Sequence, residues 1–224
     1  MSKEDSRRDF VPLPVPLGET VRSAFATPVV SYPWPDSERL NAELAAYIET
    51  SRRAGPGDVR SNVGGWHSSS HFLDAAEPSV RALVARIRAL ARGLAEAFFE
   101  PDEHGDLPAR RLSGWANVLP RGGYHIPHVH PAAFWSGVYY VNGNESVEGH
   151  PMSGKLELLD PRMGGGLTAP VPTPLYGRLL FDPVPGQMIV FPSWLQHFVH
   201  PYFGRSERIT VAFNLSLMLR EPAP

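Results

Sequence analysis

Apolar residues recur at helical spacing in the first half of the chain and at strand spacing in the second. Leu40, Leu44, Tyr47 and Ile48 follow Pro35-Asp36-Ser37, a helix-start signal, and their pattern fades at Gly55-Pro56-Gly57. A first helix is predicted between these limits. Val80, Leu83, Val84, Ile87, Leu90, Leu94 and Phe98 form one apolar stripe, and Arg81, Arg86, Arg88 and Arg92 lie off it. That pattern predicts a second helix, capped within Asp74 to Glu77 and ending near Pro101, with its arginines in solvent. Before both, Phe25 to Tyr32 contains V-V-S-Y and reads as a strand.

From Arg111 the spacing changes to strands. Candidates are Ser113 to Leu119, Phe134 to Asn142, Lys155 to Leu159, Arg178 to Phe181, Gln187 to Phe191 and Arg208 to Leu217. Turn residues separate them, among them Arg121-Gly122-Gly123 and Asn142-Gly143-Asn144. Helices followed by many short strands predict an α+β chain, mainly β, whose second half is a sandwich or barrel. The expected organisation is one domain over residues 1–224. It comprises an N-terminal arm at 1–20, a helical support region at 21–110 and a β core at 111–219.

Composition narrows the function classes. A net charge of −2 gives no electrostatic footprint for nucleic acid. The chain has no cysteine, which removes disulfides, thiolate metal sites and cysteine nucleophiles together. The N-terminus is charged and lacks an apolar signal core, and no stretch is long and apolar enough to span a bilayer, so a cytoplasmic location is expected. The substrate class, small molecule or peptide, and the oligomeric state stay open.

The chemistry concentrates in Tyr124 to Asn142, which begins Y-H-I-P-H-V-H-P. In an extended chain His128 and His130, two apart, share a face, and two imidazoles on one face are half of a metal site. Imidazole suits iron, zinc, copper and nickel alike. In the final strand Arg208, Thr210 and Asn214 share one face, while Ile209, Val211, Phe213 and Leu215 share the other. In a sandwich that polar face looks at water; in a small barrel it lines a ligand cavity, where an arginine grips a carboxylate bidentately.

His197 lies 67 residues after His130 and 11 before Arg208. This order resembles the iron(II)/2-oxoglutarate-dependent oxygenases of the double-stranded β-helix, or jelly-roll, fold. Their pattern is H-x-D/E, a long gap, a distal His, then Arg-x-Ser/Thr. Here the matching residues are His128-Val129-His130, His197 and Arg208-Ile209-Thr210. The chain is most similar to a bacterial and phage-like group with H-x-H-P, S-G-V-Y-Y, F-P-S-W-L-x-H and R-I-x-x-x-F-N segments, and S-N-x-G-G-W-x-S upstream. The resemblance runs from about Phe25 to Met218.

The resemblance implies Fe(II) as cofactor and 2-oxoglutarate as co-substrate, with hydroxylation of a substrate and release of succinate and CO2. It implies His128, His130 and His197 as metal ligands and Arg208 with Thr210 on the distal carboxylate of 2-oxoglutarate. Tyr139 matches a position where related hydroxylases place a tyrosine on that carboxylate; the plainer reading is a core aromatic. Asn117 and Asn214 are expected just outside the ligands. The departure is His130, which stands at the family's usual carboxylate. A carboxylate such as Glu157 or Asp160 replacing one histidine is a second ligand set. His125 as a ligand is a third, although its spacing to His128 is wrong for one strand face. His200 is expected at the rim, and Trp115, Trp135 and Trp194 in the core. Ser61 to Ser70, with Trp66 and His67, and the loop from Gly164 to Pro174 are expected at the cavity mouth. Two rivals need no 2-oxoglutarate: a cupin-like three-histidine dioxygenase, and a non-enzymatic barrel holding a structural metal.

Overall fold

A computed structural model describes residues 25–101, 109–143, 145–162 and 177–218. The N-terminal arm and the Gly164 to Pro174 loop lie outside these residues. Two antiparallel sheets face each other. The larger has the strand order β1 (Val30–Pro33), β9 (Gln187–Pro192), β6 (Trp135–Tyr140), β11 (Arg208–Met218), β4 (Ala109–Leu119) and β3 (Trp66–His67). The smaller has the order β2 (Asn62–Val63), β5 (Tyr124–His128), β10 (His197–Val199), β7 (Leu156–Leu159) and β8 (Arg178–Phe181).

Two helices cover the outer face of the larger sheet. Helix α1 spans Glu38–Ala54 and α2 spans Pro78–Phe98. Pro78 occupies the first turn of α2, where its missing N–H costs no helical bond. Helix α2 buries Val80, Leu83, Ile87 and Leu94 against Val211, Phe213 and Leu215 of β11, all in one core cluster. Burying each such side chain contributes roughly 1.5–3 kcal/mol. Ser37 precedes α1, but its hydroxyl bonds the carbonyl of Trp34 (2.8 Å) and accepts from Arg86 (2.6 Å) instead of capping a helical N–H. Arg86 is therefore not on a solvated face: it ties α2 to Pro35, Asp36 and Ser37, the segment that leads into α1.

A second, smaller cluster lies between the sheets and includes Tyr140, Leu156, Ile189, Phe191 and Val199. The alternation of β11 thus divides the molecule. Its odd-numbered residues from Ile209 to Leu215 face the helices, and Arg208, Thr210, Ala212 and Asn214 face the gap between the sheets. Strands β5 and β10, five and three residues long, escaped the sequence reading, yet both carry site histidines.

Candidate active site

The gap between the sheets opens into a cavity of about 500 Å³. Strand pairing sets its histidines: His197 of β10 is the cross-strand partner of His128 of β5, so the two rings lie side by side with centroids 4.3 Å apart. His130 arrives differently from the strand-parity expectation. Strand β5 ends at His128, and His130 is held beyond it by its N–H on the carbonyl of Ser193 (3.0 Å). Its ring stacks between Trp115 and His197, with centroids 5.4 Å and 5.0 Å away.

One ligand nitrogen from each of His128, His130 and His197 falls within 4.8 Å of the others. The Nε2 atoms of His130 and His197 are 3.1 Å apart. With metal–nitrogen bonds of about 2.0–2.1 Å, two ligands on one metal sit roughly 3 Å apart. The donor set therefore fits a divalent first-row metal. Backbone carbonyls fix two of the tautomers. His128 Nδ1–H donates to Ile126 (2.7 Å) and His197 Nδ1–H to Leu195 (2.9 Å), which leaves both Nε2 lone pairs free for a metal. Burial lowers the pKa of all three, to about 4 for His130 and about 3 for His197; neighbouring imidazoles add to the effect in those two, and the Ile126 carbonyl opposes it in His128. The cluster is neutral at pH 7, the form that binds metal.

Arg208 lines the same cavity and is 1% exposed. Its Nε–H donates to the carbonyl of Gly154 (3.0 Å), and its guanidinium carbon lies 5.3 Å from the Tyr140 ring centroid. Among the described residues no carboxylate forms a salt bridge with it. Burial lowers its pKa, and the Tyr140 and Tyr202 hydroxyls beside it oppose that shift. Burial pushes the Tyr140 hydroxyl up to about 12. Gly143 (φ +108°) allows the chain to pass: a Cβ there would sit 2.7 Å from Arg208 Cγ. Thr210, Asn214 and Asn117 also line the cavity, and the buried Asn117 Oδ1 has no partner among the described residues. Asn214 accepts from Ser136 (2.8 Å).

Several expectations are corrected. Tyr139 faces away from the cavity, and its hydroxyl donates to Asn41 (2.7 Å) and accepts from Arg86 (3.2 Å) beneath the helices. Tyr140, opposite Thr210 in the sheet, is the tyrosine beside Arg208. Trp66 is not at the mouth: its indole N–H bonds the carbonyl of Gly55 (3.1 Å) and its ring packs on the helix-side core. His67, the next residue along β3, points the other way and does line the cavity. Trp115 lines the cavity and stacks between His67 and His130, and Trp194 is exposed; of the three tryptophans expected in the core only Trp135 lies there.

His125 also lines the cavity, 6% exposed, because β5 carries a bulge. His128 pairs with His197 and His125 with Val199, so three steps on one strand match two on the other and both histidines turn inward. Burial, then the nearby Arg208 charge, holds its pKa well below the usual histidine value. Glu157 does not replace a ligand; it is bonded to His200 (2.7 Å) and lies 3.6 Å from Arg178. Asp160 pairs with Arg162 (2.6 Å). Among the described residues no helix is long and apolar enough to cross a membrane.

Residues 113–214, just under half of the chain, match the family model described as "Putative 2OG-Fe(II) oxygenase". No curated protein matches the chain in sequence. Solved structures share its fold across most of their length. A Pseudomonas putida prolyl-4-hydroxylase is 16% identical with a TM-score of 0.59, covering 84% of this chain and 91% of its own. A Trichoplax adhaerens prolyl hydroxylase, in complex with a hypoxia inducible factor peptide fragment, is 13% identical with a TM-score of 0.60, covering 84% and 83%. HygX from Streptomyces hygroscopicus, with nickel and 2-oxoglutarate bound, is 11% identical with a TM-score of 0.55, covering 85% and 83%. The fold these structures share with the chain is the double-stranded β-helix. The family match thus covers the sheet core that carries the three clustered histidines and Arg208, and the likeness to solved structures covers the fold.

Proposed function

We propose that the chain is a hydroxylase in which His128, His130 and His197 hold iron and Arg208, with Thr210, holds the distal carboxylate of 2-oxoglutarate. The observation that carries this reading is Arg208. A buried guanidinium without an anionic partner costs several kcal/mol, and this one shares a cavity with three convergent neutral imidazoles. Arg208 is the cation deepest in that cavity; Asp58 and Arg60, which also line it, lie within 3.6 Å of each other. A ligand that meets both the metal and Arg208 needs a chelating end and an anionic end, and a 2-oxo dicarboxylate has both.

When bound, iron(II) and 2-oxoglutarate supply the oxidising chemistry with dioxygen, leaving succinate and CO2. The chain's own groups position and enclose. The carbonyls of Ile126 and Leu195 orient two of the ligand rings, and Trp115 holds the third. Leu156, Phe191 and Val199 keep the gap between the sheets dry. The substrate, a small molecule or peptide, enters past Asp58, Arg60, Ser70 and Val129. A cupin-like dioxygenase or a structural-metal barrel gives no reason for an inward arginine without a carboxylate.

The test is turnover without added substrate. Purified protein with Fe(II), 2-oxoglutarate and oxygen should form succinate slowly, and His197→Ala should form none. Equal succinate from His197→Ala and wild type overturns the assignment.

A further inference from the structure

Ser61 sits where the metal cluster meets the anion pocket. Its Oγ lies 3.0 Å from His125 Nδ1 and 3.4 Å from His128 Nε2. The loop that carries it is fixed: the Asn62 side chain donates to Gly65 (2.8 Å) and accepts from Arg60 N–H (2.8 Å), and the Ser61 carbonyl accepts from Ile126 N–H (2.9 Å). A hydroxyl has one proton and can donate to one of its two imidazole neighbours.

His128 Nδ1–H is committed to the carbonyl of Ile126, so His128 Nε2 is an acceptor. Two arrangements follow. In one, Ser61 donates to His128 Nε2 and accepts from His125 Nδ1–H, so the hydroxyl and both nitrogens facing it are paired. In the other, Ser61 donates to His125 Nδ1, and the proton of neutral His125 must sit on Nε2. A metal on His128 takes the lone pair that the first arrangement requires. The Ser61 proton then loses that acceptor, and the second arrangement offers it another at His125 Nδ1.

His125 is 6% exposed, lines the cavity and feels the Arg208 charge. Its Nε2 has no partner among the described residues. We propose that Ser61 couples metal binding to co-substrate binding: metal on His128 turns the Ser61 hydroxyl to His125 Nδ1, and His125 Nε2–H becomes a second donor for the carboxylate held by Arg208. The movement is a tautomer exchange, with one proton leaving Nδ1 and one arriving at Nε2, so the charge does not change. Without metal the same nitrogen carries a lone pair in place of a donor. This inference rests on the ligand assignment proposed above.

The experiment uses the full chain, Zn(II) as a redox-inert metal and ¹⁵N-histidine NMR. The expected result is His125 as the Nδ1–H form in metal-free protein and the Nε2–H form with zinc. Ser61→Ala should abolish this dependence while His128, His130 and His197 still show zinc ligation. In the zinc protein, His125→Phe should bind 2-oxoglutarate roughly tenfold more weakly, the scale of one hydrogen bond to a charged group. His125→Gln, which keeps an N–H donor, should recover most of that loss. Zinc ligated at the three histidines with His125 still Nδ1–H, or a switch that persists in Ser61→Ala, overturns the coupling alone. Zinc that leaves those three resonances unmoved overturns the ligand assignment and the coupling with it.

Discussion

Replacing Arg208 with methionine should weaken co-substrate binding and strengthen the empty fold, two effects of opposite sign from one side chain. The guanidinium is 1% exposed, with one hydrogen bond to the Gly154 carbonyl and no carboxylate partner among the described residues. Truncating one partner of a buried, hydrogen-bonded charge pair costs about 2–5 kcal/mol. At about 1.4 kcal/mol per tenfold, 2-oxoglutarate should bind roughly 30-fold more weakly or worse. In the ligand-free protein the charge is a liability, since apolar replacements of buried charges are often neutral or stabilising by about 1–4 kcal/mol. The assay is an anaerobic titration of the Fe(II) protein, following the metal-to-ligand charge-transfer band, beside urea unfolding of the metal-free protein. Saturating 2-oxoglutarate, at about 100 times its Kd, should stabilise metal-loaded wild type by about 2.7 kcal/mol and do far less for the variant. Unchanged affinity, or a large loss of stability in metal-free Arg208→Met, refutes the reasoning that Arg208 is held in place for an anion.

Three further outcomes are expected. Tyr139→Phe loses the hydroxyl bonds to Asn41 and Arg86 and should cost about 1 kcal/mol in urea unfolding with 2-oxoglutarate affinity unchanged; a tenfold affinity loss would return Tyr139 to the pocket. Gly143→Ala places a Cβ against Arg208 Cγ at a left-handed φ, so it should weaken 2-oxoglutarate binding while metal content stays full. Metal-free protein should lose stability on acidification, because the unfolded chain takes up protons near pH 6.5 while His130 waits until about 4 and His197 until about 3. That stability is present above pH 6.5 and lost towards pH 3–4, and a urea midpoint flat between pH 7 and 4.5 would contradict it.

The parts legible in the sequence were those where local pattern and burial agree. The stripe of α2 and the alternation of β11 each have one apolar and one polar face, so period alone shows that Arg208 and Thr210 share a face; that this face lines a cavity depends on the second sheet packed over it. Strand β6 is buried on both faces, so Trp135 to Tyr140 carries no alternation that distinguishes Tyr139 from Tyr140. Only its register against Thr210 decides which tyrosine meets the arginine. Strand parity argues against His125, and a bulge beside Pro127 breaks that parity; the proline between two histidines is the available signal. Trp66 and His67 are neighbours on opposite faces of a two-residue strand, too short to show any period. The His130 position depends on stacking between residues far apart in sequence, Trp115 and His197, and nothing local reports that.

In the proposed site one cavity joins a three-histidine iron site to an arginine by way of 2-oxoglutarate. An anaerobic crystal structure of the protein with Fe(II) and 2-oxoglutarate tests it most directly. The expected result is metal on Nε2 of His128, His130 and His197, the 2-oxo acid chelating it, and the far carboxylate on Arg208. Metal ligated by His125 or Glu157 in place of one of the three, or a co-substrate carboxylate away from Arg208, would contradict it.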